Sequence, residues 1–110
     1  SSDLALRVSL HGHVDFLRRL LKEENIEWKT NHSHITTIVI GDAIRCKHIA
    51  DRLLNEFGLY VQPVNHPTVP AGEECLRIII TARHNRDQIT HFVKSLKTIL
   101  VEEGAHHMQA

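Results

Sequence analysis

Cysteine, methionine and the large aromatics are scarce: 110 residues hold two cysteines, one methionine, one tryptophan and one tyrosine. Cys46 and Cys75 are too few and too far apart for a disulfide scaffold. Both fall in apolar segments, where a free thiol behaves as a small hydrophobe, and this points to a reducing compartment. There is no excess of charge of either sign. Thirteen basic and thirteen acidic side chains cancel, so no overall field exists to gather nucleic acid or anionic lipid. No apolar run approaches the roughly 18 residues of a membrane span, and the opening Ser1-Ser2-Asp3 has no basic-then-apolar signal pattern. These absences predict a soluble domain with no nucleic-acid partner and no membrane span. The only methionine is Met108, so the chain has no initiator residue and is expected to be processed, excised or part of a longer product. The length suits one domain, residues 1–110, able to remove roughly two-thirds of its unfolded surface from water.

Periodicity supplies the elements. Leu6, Leu10, Val14, Leu17 and Leu21 recur at helical spacing and predict a helix over Leu4–Asn25, weakened in its middle by Gly12. The β-branched run His34–Ile40 predicts a strand ending at Gly41. Asp42 is placed to cap a helix over Ala43–Phe57 whose stripe is Cys46, Ile49, Ala50, Leu53 and Phe57, with Gly58 at its stop. Leu59–Gln62 and Cys75–Ala82 predict two further strands. Between them runs a loop that Pro63, Pro67 and Pro70 make stiff and irregular, and long ordered loops of this kind often bind ligands. Asn85 and Gln88 form a capping-box start for a last helix whose stripe ends near Gly104. Residues 105–110 read as a frayed tail. The predicted fold class is α+β: a small, mostly antiparallel sheet of about three strands covered by helices.

Ten histidines invite a metal reading, and their spacing opposes it. His11 and His13 diverge on a helix, and His106-His107 sit on a tail. Only His32 and His34 could point together, and they would need further ligands. Solvated or core-edge histidines and inert buried cysteines are the expectation. Arg77 differs. Alternation along Cys75–Thr81 puts Leu76, Ile78 and Ile80 on one face and Arg77, Ile79 and Thr81 on the other, with both faces expected to be largely covered. Guanidinium suits a carboxylate held through two parallel hydrogen bonds. An ion pair with Glu73 or Glu74, or a side chain that snorkels from a sheet edge, is from the residues alone the more common explanation, since most strand arginines are structural.

The run YVQPVNHPTVPAGEECLRI, residues 60–78, contains YVQ, PTVP, G-E and LRI elements. Upstream stand Ser33-His34-Ile35 and Gly41-Asp42-Ala43; downstream stand Thr81, His84 and the last amphipathic helix. From about Leu10 onward the chain resembles the C-terminal part of the α-oxoamine synthases, in particular the 5-aminolevulinate synthase branch. Three positions depart from that pattern: Thr36-Thr37 stand for Val-Pro after SHI, Ala71 stands for Arg after PTVP, and Ile79-Ile80 replace a proline-containing run.

The resemblance implies the small C-terminal domain of a fold-type I pyridoxal phosphate (PLP) enzyme working as a homodimer. It implies an acyltransferase that condenses glycine with succinyl-CoA to 5-aminolevulinate, CoA and CO2 in haem biosynthesis, in the mitochondrial matrix of a eukaryote or the cytoplasm of a bacterium. Arg77 matches the residue that grips the glycine carboxylate, and Thr68 matches the PTVP threonine near the succinyl carboxylate. The PLP lysine and the rest of the cofactor site belong to a large domain upstream, so the chain alone is expected to bind no cofactor and to be inactive. A related synthase using another acyl-CoA, and a non-catalytic remnant that binds a partner or a small carboxylate, remain as alternatives.

Overall fold

In the computed structural model, which describes residues 2–30 and 34–104, each helix stops where its sequence supplies a stop signal. Helix α1 spans Ser2–Glu23 and buries Val14, Leu17 and Leu21, running unbroken through Gly12. It ends two residues earlier than its apolar pattern suggests, because Asn25 takes φ 59° and the Ile26 N–H bonds back to the Leu21 carbonyl at 2.9 Å. Helix α2, Ala43–Phe57, starts at Asp42, whose side chain accepts from the N–H groups of Ile44 at 2.8 Å and Arg45 at 3.2 Å. It stops at Gly58, which adopts the left-handed φ of 69° that a residue with a Cβ resists. Helix α3, Arg86–Glu102, opens with the anticipated capping box: Gln88 N–H to Asn85 Oδ1 at 2.8 Å and Asn85 N–H to Gln88 Oε1 at 2.9 Å. Among the described residues no helix is long and apolar enough to cross a membrane.

Four strands form one antiparallel sheet. They are β1 (Lys29–Thr30), β2 (Thr36–Val39), β3 (Gln62–Val64) and β4 (Cys75–Ile78), in spatial order β1-β2-β4-β3. The α+β class and the antiparallel pairing agree with the sequence reading. Strand β1 is additional: two exposed polar residues carry no periodic signal, and only pairing with Thr36 and Thr37 makes them a strand. Strand β3 lies at Gln62–Val64 rather than Leu59–Gln62 and contains Pro63, which had been assigned to irregular loop. An edge strand bonds to one neighbour only, so a residue without an N–H is tolerated there. Strand β4 stops at Ile78 because neither neighbour pairs beyond that residue, although the burial alternation continues through exposed Ile79 and buried Ile80.

The three helices pack on one side of this sheet. Leu76, Ile78, Ile38 and Ile40 meet Leu17, Leu21, Ile49, Leu53, Leu96 and Ile99 in a single core. The other face carries Cys75 and Val64, both buried, Thr37, Val39, Gln62 and Arg77, each half-buried, and Ile79, which is exposed. The expectation that both faces are largely covered holds in part: all three helical stripes converge on the Leu76 side, while the Arg77 side has no helix and is buried at Cys75 and Val64 but open at Ile79.

Candidate functional site

Arg77 occupies the middle of this helix-free face because β4 alternates and its even-numbered positions belong to the core. In register it is flanked by Thr37 of β2 on one side and Gln62 of β3 on the other. Its Nε is buried and has no hydrogen-bond partner. A charged donor in that condition is costly, roughly 1–3 kcal/mol or more, unless an acceptor arrives from outside. Among the described residues no ion pair joins Arg77 to an acid. Glu74 is itself buried and turned to its own loop, where its Oε1 accepts the Gly72 N–H at 3.0 Å. The neighbouring acids do not neutralise Arg77, and the buried Nε is not that of a freely snorkelling side chain.

Thr68 lies elsewhere. The loop after β3 turns on the Asn65 carbonyl, which accepts the N–H groups of Thr68 at 3.0 Å and Val69 at 3.3 Å, next to a cis His66–Pro67 bond. Thr68 is exposed on that turn. The turn lies beyond the Val64–Cys75 pair, whereas Arg77 is two residues, about 7 Å, back along β4. Among the described residues nothing brings the two side chains together. In the same loop Asn65 Oδ1 is buried without a partner. Sequence reasoning missed Gln62 and Thr37 as neighbours of Arg77. YVQ and the altered SHI element contained both, but only the register sets them beside Arg77.

The remaining candidates have other employment. His11 and His34 are exposed. The His13 Nδ1–H donates to the Thr81 carbonyl at 3.3 Å, and His84 Nδ1 accepts the Thr81 N–H at 2.8 Å, so both tie the segment after β4. His32, His106 and His107 lie outside the described residues. Among the described residues no three His, Cys, Asp or Glu side chains are grouped to hold a metal ion. Burial pushes the Cys46 thiol up to about 12 and raises Cys75 as well, the latter partly offset by the charge of Arg77. Neither supplies a thiolate nucleophile near neutral pH.

The described lysines have other partners or lie exposed. Lys47 pairs with Asp51 at 2.8 Å, Lys97 donates to the Glu24 carbonyl at 2.8 Å, Lys94 lies 3.8 Å from Glu24, and Lys22 and Lys29 are exposed. A groove of about 740 Å³ lined by Lys22, Trp28, Lys29, Val39 and Gly41 includes neither Arg77 nor Thr68.

Comparison with known proteins places the chain in a family. Residues 5–96 match the family described as aminotransferase class I and II. A 5-aminolevulinate synthase of Rhizobium meliloti is 47% identical over 93 residues, 84% of this chain and 23% of that protein. The mitochondrial 5-aminolevulinate synthase of Emericella nidulans is 40% identical over 98 residues, covering 89% of this chain and 15% of the relative. The chain thus spans a quarter or less of these relatives. Among solved structures, a serine palmitoyltransferase variant from S. paucimobilis with a bound PLP–myriocin aldimine superposes with a TM-score of 0.78 at 25% identity, over 90% of this chain and 25% of that one. The 8-amino-7-oxononanoate synthase of Francisella tularensis gives 0.73 at 21% identity, over 89% of this chain and 28% of that one, and shares the fold.

Proposed function

Because the chain belongs to the class I and II aminotransferase family, we propose that it is the C-terminal domain of a 5-aminolevulinate synthase, completed by a large domain that precedes it. The observation that carries this reading is the Arg77 guanidinium: a buried, unpartnered Nε on the helix-free face of the sheet, with no ion pair to an acid among the described residues. Relatives named 5-aminolevulinate synthase support the choice of substrates, glycine and succinyl-CoA.

In this reading Arg77 binds the glycine carboxylate through two parallel hydrogen bonds and so fixes the direction of the Cα bonds that react. Thr68 offers a hydroxyl to the succinyl carboxylate from the proline-stiffened turn; a contact with Arg77 is not required, because the two groups serve different substrates. PLP, held by the large domain, supplies the electron sink when bound. The face that the helices leave open is the one toward which the large domain and its ligands would lie. The complete protein is a homodimer, placed in the mitochondrial matrix in a eukaryote or the cytoplasm in a bacterium.

Two measurements test the proposal. The coding region upstream of Ser1 should encode a large domain with a cofactor lysine, and the complete polypeptide should release CoA from succinyl-CoA only when glycine is present. Arg77→Lys in that polypeptide should raise the glycine KM roughly 10- to 100-fold, because an ammonium cannot reproduce a two-point grip. A stop codon immediately upstream, or an unchanged glycine KM, rules the reading out.

A further inference from the structure

We propose that His84 is a positioning residue for Arg77: its neutral imidazole latches Thr81 and so fixes the outgoing end of the strand that carries the guanidinium, and the latch opens when the ring is protonated. The inference deepens the reading above and rests on it for the substrate that Arg77 takes.

Arg77 stands where its ladder ends. Gln62 with Arg77 is the last pair between β3 and β4, and toward β2 a single pair remains beyond it, Thr36 with Ile78. Pairs at the end of a ladder open most readily, so the residues that follow decide how firmly Arg77 is held. Ile79 is exposed and Ile80 returns to the core. Thr81, four residues beyond Arg77, is then held by two histidines. His84 Nδ1 accepts the Thr81 N–H at 2.8 Å and lies 3.2 Å from the Thr81 hydroxyl, while the His84 N–H donates to the Thr81 carbonyl at 3.2 Å. From α1, the His13 Nδ1–H donates to the same carbonyl at 3.3 Å. Asn85 follows at once as the cap of α3, so the turn runs directly into a helix with a fixed start.

A backbone amide can only donate, and this fixes the tautomer. His84 Nδ1 carries no proton when it accepts from Thr81, so the proton of the neutral ring is on Nε2. A second proton would set one N–H against another across 2.8 Å and leave Nδ1 only the hydroxyl as an acceptor. The His13 bond survives protonation, because its Nδ1 donates in either state. The charged groups around the turn do not replace what is lost. Arg83, Arg86 and Asp87 adjoin His84 in the chain; α1 brings His13, Asp15 and Arg19, with the Arg19 and Arg86 guanidinium groups 5.4 Å and 4.6 Å from the Phe16 ring centroid. Among the described residues no carboxylate forms an ion pair with His13 or His84. An imidazolium at position 84 therefore gives up its acceptor role and gains no acid in exchange.

The test uses the complete polypeptide with glycine and succinyl-CoA as probes. His84→Leu removes the acceptor and should raise the glycine KM about 5-fold at every pH, leaving the succinyl-CoA KM within about 2-fold. His84→Asn is the rescue: its side-chain oxygen stands about where Nδ1 stood, accepts the same N–H and does not titrate. It should keep the glycine KM close to the parent's at neutral pH and flatten the rise that the parent shows as pH falls through the range in which imidazole ionises. If His84→Leu fails to fold, as judged by its melting curve, the pH profile of His84→Asn decides alone. With Arg77→Lys still impaired, three results overturn the latch and leave Arg77 in its site: an unchanged glycine KM in His84→Leu, equal rises in both KM values, or an acid limb in His84→Asn that matches the parent's. An unchanged glycine KM in Arg77→Lys removes the underlying reading instead.

Discussion

Arg52 of α2 reaches Glu103, at the C-terminal cap of α3, across 51 residues of chain with an Nη1–Oε2 distance of 3.1 Å. The same guanidinium holds Glu102 and Glu56 at 2.6 Å each, so one side chain joins the two helices. His48, one turn earlier on α2, adds a 3.2 Å contact to Glu103. Arg52→Met should keep the packing of the stem and lose the network, lowering the melting temperature by a few degrees. The loss should shrink in molar salt, because partly exposed ion pairs are screened.

The same network sets an acid dependence. The Arg52 guanidinium holds the Glu56 carboxyl below the ordinary range, chiefly by hydrogen bonding. A carboxyl depressed in the folded state contributes stability that is fully present above its unfolded pKa and is lost as pH falls through the folded value. Urea midpoints of the parent and of Arg52→Met should therefore differ at neutral pH and converge below the ordinary glutamate range.

Cys46 sets the opposite limit. Burial pushes its thiol from 9.0 up to about 12. Between those values the unfolded chain loses a proton that the folded chain keeps, so stability should fall as pH rises from about 9 to about 12. Cys46→Ser or Cys46→Ala should flatten that alkaline limb. In the native protein both cysteines should resist alkylation at pH 8 and react fully in denaturant. Rapid modification without unfolding would contradict their burial.

Leu76 precedes Arg77 in β4, points to the core and is fully buried. Leu76→Ala should cost about 2–5 kcal/mol in denaturant unfolding, the range for a large-to-small change in a packed core. In the complete polypeptide the truncation should also raise the glycine KM, because the strand that carries Arg77 loses its anchor.

Gly58 should show a conformational cost without a steric one. A Cβ there meets no heavy atom within 4 Å, yet the backbone sits at φ +69°. Gly58→Ala should destabilise by about 1 kcal/mol and Gly58→Asn by less, since asparagine tolerates the left-handed region. Asp42→Ala, at the other end of α2, should cost about 1 kcal/mol through the lost cap. Chemical denaturation of the three variants against the parent reads all of these directly.

Much of the architecture was legible before any coordinates. Asp42, Gly58, Asn85 and Gln88 act through bonds to residues within four positions of themselves, so their effects follow from adjacent chain. The alternation of Leu76, Arg77 and Ile78 likewise follows from the geometry of a single strand. Lys29–Thr30 and Gln62–Val64 were not legible, because a two-residue strand and a proline-containing one have no local signature and exist through partners distant in sequence.

The candidate site divides along the same line. Strand alternation and the family-like LRI and PTVP elements point to Arg77 and Thr68 as candidates from the sequence alone, since each rests on residue type and short-range spacing. The helix-free face, the unpartnered Nε, and the row Thr37–Arg77–Gln62 were decided by tertiary structure. Which side of a sheet the helices cover, and which residues stand opposite each other across three strands, depend on where all the apolar stripes can be buried at once, and no single segment contains that information.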